Sequence, residues 1–170
     1  MNIIIQTPRI IVREFQRQEL KLVLEIDADE RLTRYVKKRS AAESRRIFQH
    51  SLLEYKNATG LGRWGIFNVA DNDFVGICML KPSDYDGESI ELGYRLHQKY
   101  WGTGIATELS KALISYGLEH LRLKEVCAVT HPENLASQRV LDKAGLIRDG
   151  TVNWYGEDEL PFFKIRRSLS

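Results

Sequence analysis

The sequence predicts a mixed α/β chain, and three observations lead there. β-prone apolar runs recur from "IIV" near the start to "FFKI" near the end. Between them, apolar residues return every three or four positions, the period of a helix with one buried face. The two patterns alternate without a visible repeat, low-complexity segment or linker.

Ile10, Ile11 and Val12, set between arginines, read as a first strand. Leu20, Val23, Leu24, Ile26 and Ala28 mark a helix over residues 18–28. Ser40 with Glu43 three residues on forms a capping-box pattern before Ile47, Leu52, Leu53 and Tyr55, so a second helix starts there and ends near "NATGLG". "RWGIFNVA" and "FVGICML", joined by "DND", read as a hairpin, and the turn-forming "KPSDYDGE" leads to the strand "SIELGYRLH". Ile105, Leu109, Ala112, Leu113 and Tyr116 line one face of a helix from Thr103 to about His120. "KEVCAVT" follows as a strand. Asn134 then caps a fourth helix with Leu135, Val140, Leu141 and Ala144 on its apolar stripe and Gly145 as its stop. "LIRDGTVNWY" and "FFKIRRSLS" close the chain as two strands.

A chain of 170 residues with 43% hydrophobic content has the size of one ordinary domain, so a single domain over 1–170 is expected. Its 25 basic and 23 acidic residues leave a formal charge of +2, which gives no basic field of the kind nucleic-acid binders carry. Cys78 and Cys127 stand apart in apolar runs, as buried reduced thiols do, and a cytoplasmic setting follows. No stretch approaches the roughly 20 apolar residues of a membrane span, and "MNIIIQTPRI" is too short in apolar residues for a signal segment. Neither a membrane nor nucleic acid is an expected partner. No His, Cys, Asp or Glu cluster has metal-ligand spacing.

The stretch "KYWGTGIATE" puts Gly102 and Gly104 where a strand gives way to a helix. The first amides of a helix lack internal acceptors and sit at the positive end of its dipole, so they can converge on a phosphate or pyrophosphate. A tight turn needing positive φ accounts for the same glycines. The Gly-x-x-x-x-Gly-Lys pattern of nucleoside triphosphate sites is absent, as is the third glycine of a dinucleotide fingerprint.

Taken together with "HPENLASQRVLDKAG" some thirty residues on, this stretch resembles the GNAT superfamily of N-acetyltransferases, in its RimJ/RimL branch. "TPRIIVREF", "FVGICML", "IELGYRLHQKYWGTGIATE" and "ENLASQRVLDKAGL" carry the likeness over nearly the whole chain. The resemblance implies a largely antiparallel central sheet of about seven strands, splayed between "IELGYRLH" and "KEVCAVT" and flanked by about four helices. It implies acetyl-CoA as cosubstrate, no metal, and direct transfer of the acetyl group to a primary amine in a ternary complex. That amine belongs to a protein N-terminus or to a small molecule such as an amino acid, an antibiotic or a polyamine. A homodimer is among the expected assemblies. The superfamily's Arg/Gln-x-x-Gly-x-Gly/Ala segment here begins with Trp101, and the implied cofactor residues are Leu96, Trp101, Gly102, Thr103, Gly104, Ile105, Ala106, Thr107, Asn134 and Ser137.

Within that frame, Asn134 matches the position that holds the pantetheine arm, and helix capping alone accounts for it equally. Ser137, one helical turn on, matches the hydroxyl that protonates the leaving thiolate; the plainer reading is a surface serine. Glu91 is the candidate base, on the same strand face as Gly93 and Arg95, against the alternative of a solvent-facing carboxylate. His131 or water could serve instead, while His50 and His120 read as helix-surface residues and His97 carries no assigned role. Trp64, Trp154, Tyr155, Glu157, Asp158 and Glu159 would either shape a pocket for a cationic amine or finish a sheet and a solvated loop, the second being the expectation. The rival function is a catalytically silent coenzyme A-binding sensor or interaction module on the same fold.

Overall fold

The structure, a computed structural model, describes residues 1–169. Eight strands and four α-helices make it up. The strands are β1 (Ile3–Gln6), β2 (Ile10–Arg13), β3 (Gly62–Asn68), β4 (Phe74–Pro82), β5 (Ile90–Leu96), β6 (Glu125–Val129), β7 (Ile147–Val152) and β8 (Leu160–Arg166). The helices are α1 (Leu20–Ala28), α2 (Ala41–Glu54), α3 (Ile105–Ser115) and α4 (Leu135–Lys143). The strands hydrogen-bond in the order β1-β2-β3-β4-β5-β6-β8-β7, an open sheet of mostly antiparallel neighbours, as the mixed α/β expectation required. The chain forms two compact units: Met1–Met79 with Tyr94–Ile105, and Leu80–Gly93 with the residues from Ala106 onward.

In the first unit, β1, β2 and β3 run antiparallel, with Ile5 opposite Val12 and Val12 opposite Ile66. β1 is the eighth strand, beyond the seven the sequence suggested. Its three isoleucines occupy an edge with Ile3 exposed, so they lack the alternating burial that marks a strand in sequence. Phe15, Val23, Ile26, Leu32, Phe48, Phe67 and Phe74 form the core, their rings tilted against one another at 5.4–6.2 Å. α2 begins where Ser40 Oγ accepts the Glu43 amide and Glu43 Oε2 accepts the Ser40 amide, the reciprocal box the sequence predicted. Leu53, expected on its apolar set, is exposed, and Phe48 fills the core in its place. Inside this unit Asp27 is buried, accepting from Ser44 Oγ and pairing with Arg95 Nη1, each at 2.5 Å. Such a pair must be well bonded, since lifting either charge from water is costly.

In the second unit, β5 and β6 run parallel and register through one pair, Glu91 opposite Cys127. β6 and β8 pair antiparallel over Glu125–Val129, and β7 completes the edge against β8. Leu109, Leu113 and Leu118 are buried here, as are Val126 and Leu141. α3 starts at Ile105 rather than Thr103 because Gly102 and Gly104 take positive φ, which no α-helix admits. It ends in a wider π-turn, Tyr116–His120, where a Cβ on Gly117 would press on Leu80, Leu123 and Val126 at 3.2–3.3 Å. Leu135, expected on the apolar stripe of α4, is instead 58% exposed at the helix's first turn. The final strand stops at Arg166, and Ser170 of the expected run lies outside the described residues. Among the described residues, no helix is long and apolar enough to cross a membrane.

Candidate functional site

The glycine stretch grows out of the end of β5. His97 donates its amide to Val75 O at 2.8 Å, and its ring meets Phe74 edge-on, so it serves the fold. A short 3₁₀ turn over Gln98–Tyr100 follows, tied down where Asp73 pairs with Lys99 Nζ and accepts from Tyr100 Oη, both at 2.5 Å. These two donors hold the Asp73 carboxyl below its ordinary pKa. Trp101, 49% exposed, folds its indole back so that Nε1 donates to Leu96 O at 3.0 Å. The main-chain carbonyl that the resemblance offers to the pantetheine is thereby already one bond engaged.

Gly102 and Gly104 have φ of 69° and 82°. Beside Gly102 an added Cβ would meet nothing within 4 Å, so the glycine answers to backbone conformation rather than crowding. Beside Gly104 a Cβ would lie 3.3 Å from Arg9 Nη2. Arg9 is exposed in the turn before β2, and its Nη1 donates to Thr103 O at 2.8 Å. Sequence reading missed this cation, because 94 positions separate the two residues and nothing local joins them. The turn therefore combines two left-handed glycines, a guanidinium, and the amides that open α3 at Ile105, Ala106 and Thr107, which have no acceptor within the helix.

The second unit holds the other candidates. Asn134 caps α4, its Oδ1 accepting the Ser137 amide at 3.2 Å, so the capping role is real. That bond occupies the acceptor, and the side chain's NH₂ donors are what it can offer a ligand. Ser137 is half-buried in the first turn of α4. His131 precedes the helix, with Nδ1 accepting the Glu133 amide at 3.1 Å. Thr130, at the end of β6, is buried, and its hydroxyl has no hydrogen-bond partner.

Glu91 does not face solvent: it is 3% exposed. The phenol of Tyr155 donates to its Oε2. Tyr155, expected at the end of the strand "LIRDGTVNWY", instead lies half-buried in the turn beyond β7. Across the parallel pair, burial pushes the Cys127 thiol up to about 12, with the charge of Glu91 adding to the effect. Burial pushes Cys78 up as well, and both cysteines are buried free thiols. Neither is a ready nucleophile. Trp154 stacks on Tyr85 at 5.9 Å and meets Phe162 edge-on, while Trp64 is a core residue of the first unit. His50 and His120 are exposed, His50 at 3.5 Å from Glu54 and His120 stacked on Tyr116.

Residues 9–147 match the family described as acetyltransferase (GNAT) domain. The uncharacterized N-acetyltransferase YoaA of Bacillus subtilis is 26% identical over 155 residues, covering 89% of this chain and 87% of that one. Among solved structures, RimL, a ribosomal L7/L12 alpha-N-protein acetyltransferase in complex with coenzyme A, superposes with a TM-score of 0.79 at 15% identity, covering 99% of this chain and all of that one (100%). The spermidine N-acetyltransferase of Vibrio cholerae, in complex with CoA and spermine, gives 0.77 at 16% identity, with 95% and 97% covered. At these identities the structural likeness speaks for the fold.

Proposed function

The chain belongs to the GNAT acetyltransferase family and is an N-acetyltransferase, and from that premise we propose that it moves the acetyl group of acetyl-CoA directly to a primary amine within a ternary complex. The observation that carries this reading is the turn at Gly102 and Gly104, whose positive φ values turn the backbone into the start of α3. Such a turn suits the pyrophosphate of coenzyme A, received by the amides from Gly102 to Thr107 and by the Arg9 guanidinium, while the Trp101 amide stays bonded to Gln98 O. In this reading Leu96 lends main-chain groups to the pantetheine, and Asn134 donates its side-chain amide to the same arm. Glu91 takes one proton of the acceptor ammonium, the amine attacks the thioester carbonyl, and as the C–S bond breaks Ser137 gives a proton to the departing thiolate and regains one from the nitrogen, which leaves as the neutral amide. Direct transfer fits the two buried, neutral thiols, which leave no nucleophile for an acetyl-enzyme. The whole chain, 1–170, acts as one catalytic domain in the cytoplasm, without a metal.

The acceptor is a protein N-terminus or a small amine, the two classes named by RimL and by the spermidine enzyme among the structural neighbours. Coenzyme A release from acetyl-CoA, followed across N-terminal peptides, amino acids, aminoglycosides and polyamines, identifies it. Calorimetry with coenzyme A tests the cradle: Gly104→Asp sets bulk and negative charge against the pyrophosphate and should weaken binding at least tenfold. Unchanged affinity would remove coenzyme A from this turn. Tight binding with no turnover on any amine would identify a silent binding module instead.

A further inference from the structure

We infer that Tyr155 is a positioning residue for Glu91, holding that carboxylate oriented and ionised for the proton it receives; the inference rests on the reading of Glu91 as base. Tyr155 lies on the connection between β7 and β8, and its phenol donates to Glu91 Oε2 although 64 residues separate the two. A phenol that donates to a carboxylate stabilises the charged form and fixes the carboxylate plane. Tyr155 keeps its proton throughout: the ammonium proton passes to the Glu91 carboxylate, which becomes the neutral acid while the amine becomes neutral.

The surrounding loop is built to hold that phenol. Tyr155 itself has a φ of 58°, a left-handed conformation costly for a bulky side chain, and Gly156 continues it at 71°. The conformation is supported from several sides. Glu157 N bonds Trp154 O at 3.0 Å, Glu159 N bonds Asn153 Oδ1 at 2.9 Å, and Gly156 N donates to Tyr85 Oη at 3.2 Å. Tyr85 also meets the Tyr155 ring edge-on at 5.8 Å and stacks on Trp154, so three aromatic rings brace one hydroxyl. An unsupported loop would relax the left-handed tyrosine and withdraw the phenol from Glu91. The titratable group registered against Glu91 is Cys127 on β6; that thiol in turn feels the charges of Glu91, of Asp86 on the connection that also carries Tyr85 and of Glu125, and it faces Lys164 across the β6–β8 pair. The thiol is neutral, and Glu91 itself is 3% exposed; burial of a carboxylate disfavours its charged form, which gives the phenol's donation its purpose.

The test is a titration of the Glu91 carboxyl by carbon NMR in the full chain labelled at glutamate, the resonance assigned by its loss in Glu91→Gln. Tyr155→Phe keeps the ring and removes only the donor. Its Glu91 should titrate about one unit higher than wild type. With an amine acceptor, the acid limb of kcat/KM should move upward by the same amount, while KM for acetyl-CoA stays put. In the Glu91→Gln background, Tyr155→Phe should cost almost nothing further. An unmoved titration, or a limb that stays in place while Glu91→Gln abolishes turnover, overturns the role of Tyr155 and leaves Glu91 as base. Full turnover in Glu91→Gln overturns the base, and with it the catalytic purpose of the contact, even where the titration shifts.

Discussion

Ser137 separates chemistry from binding at the level of one hydroxyl. Its amide is consumed by the cap of Asn134, and the Oγ of this half-buried residue is the group proposed to meet the thiolate. Replacing Ser137 with Ala leaves that amide and the helix intact, so coenzyme A affinity should hold while kcat drops about a hundredfold. Parallel calorimetry and steady-state kinetics check this, and an unchanged kcat ends the proposed role. The contrast with Glu91 is instructive. Alternation along its strand separates Glu91 from Leu92, but both are buried, so alternation alone could not tell solvent from interior. The decisive neighbour, Tyr155, was out of reach of any local pattern.

Among the elements, α4 offers a clean division between holding a helix and holding a ligand. Asn134→Asp keeps an oxygen that accepts the Ser137 amide and removes the NH₂ donors. Thermal stability should stay near wild type while the coenzyme A dissociation constant rises several-fold; Asn134→Ala should lose about 1 kcal/mol of stability as well. Equal affinity in wild type and Asn134→Asp would reduce Asn134 to a cap. Caps of this kind were legible in the sequence because they are written in a few adjacent residues: Ser40 with Glu43, and Asn134 with Gly145 closing α4 at a φ of 97°. The hairpin of β3 and β4 was legible for the same reason, with Asn72 left-handed at its turn. β1 was not, since an edge strand exposed at both ends lacks the alternating burial that a strand writes into its sequence. Nor was the start of α3, which the spacing of apolar residues fixes only to within a turn and which the glycines' φ values decide.

For the molecule as a whole, acid should be the first condition to loosen the fold. Glu19 illustrates why: burial raises its pKa, the hydrogen bonds from Arg13 and from the Gln16 amide lower it, and the lowering prevails. A folded value below the ordinary 4.5 means this stabilisation is present at neutral pH and is lost as pH falls through and below that value. Arg13 is buried and lies 3.5 Å over the Phe67 ring, so losing its anion strains the core of the first unit. Glu19→Gln should lower the melting temperature by a few degrees at pH 7, and the two melting curves should converge below about pH 4. A constant offset at all pH values would rule out the charge as the cause. Asp86 and Asp149 are shifted downward too, but they are solvent-exposed and contribute little.

The division of the chain into two units made of interleaved segments also sets an order of birth. During synthesis the first 79 residues emerge without the strand end and glycine turn that complete their unit, because Leu80–Gly93 must be made before Tyr94–Ile105 appears. The Asp27 carboxylate accordingly waits for Arg95, and Thr103 arrives to meet an Arg9 translated 94 residues earlier. The first unit has all its segments only once residue 105 has cleared the ribosome, and the second only after β8 has followed it. The nascent chain thus carries the Asp27 carboxylate without its counter-charge for nearly seventy residues of translation, so that carboxylate stays in water until the arginine that accompanies it into the core has been made.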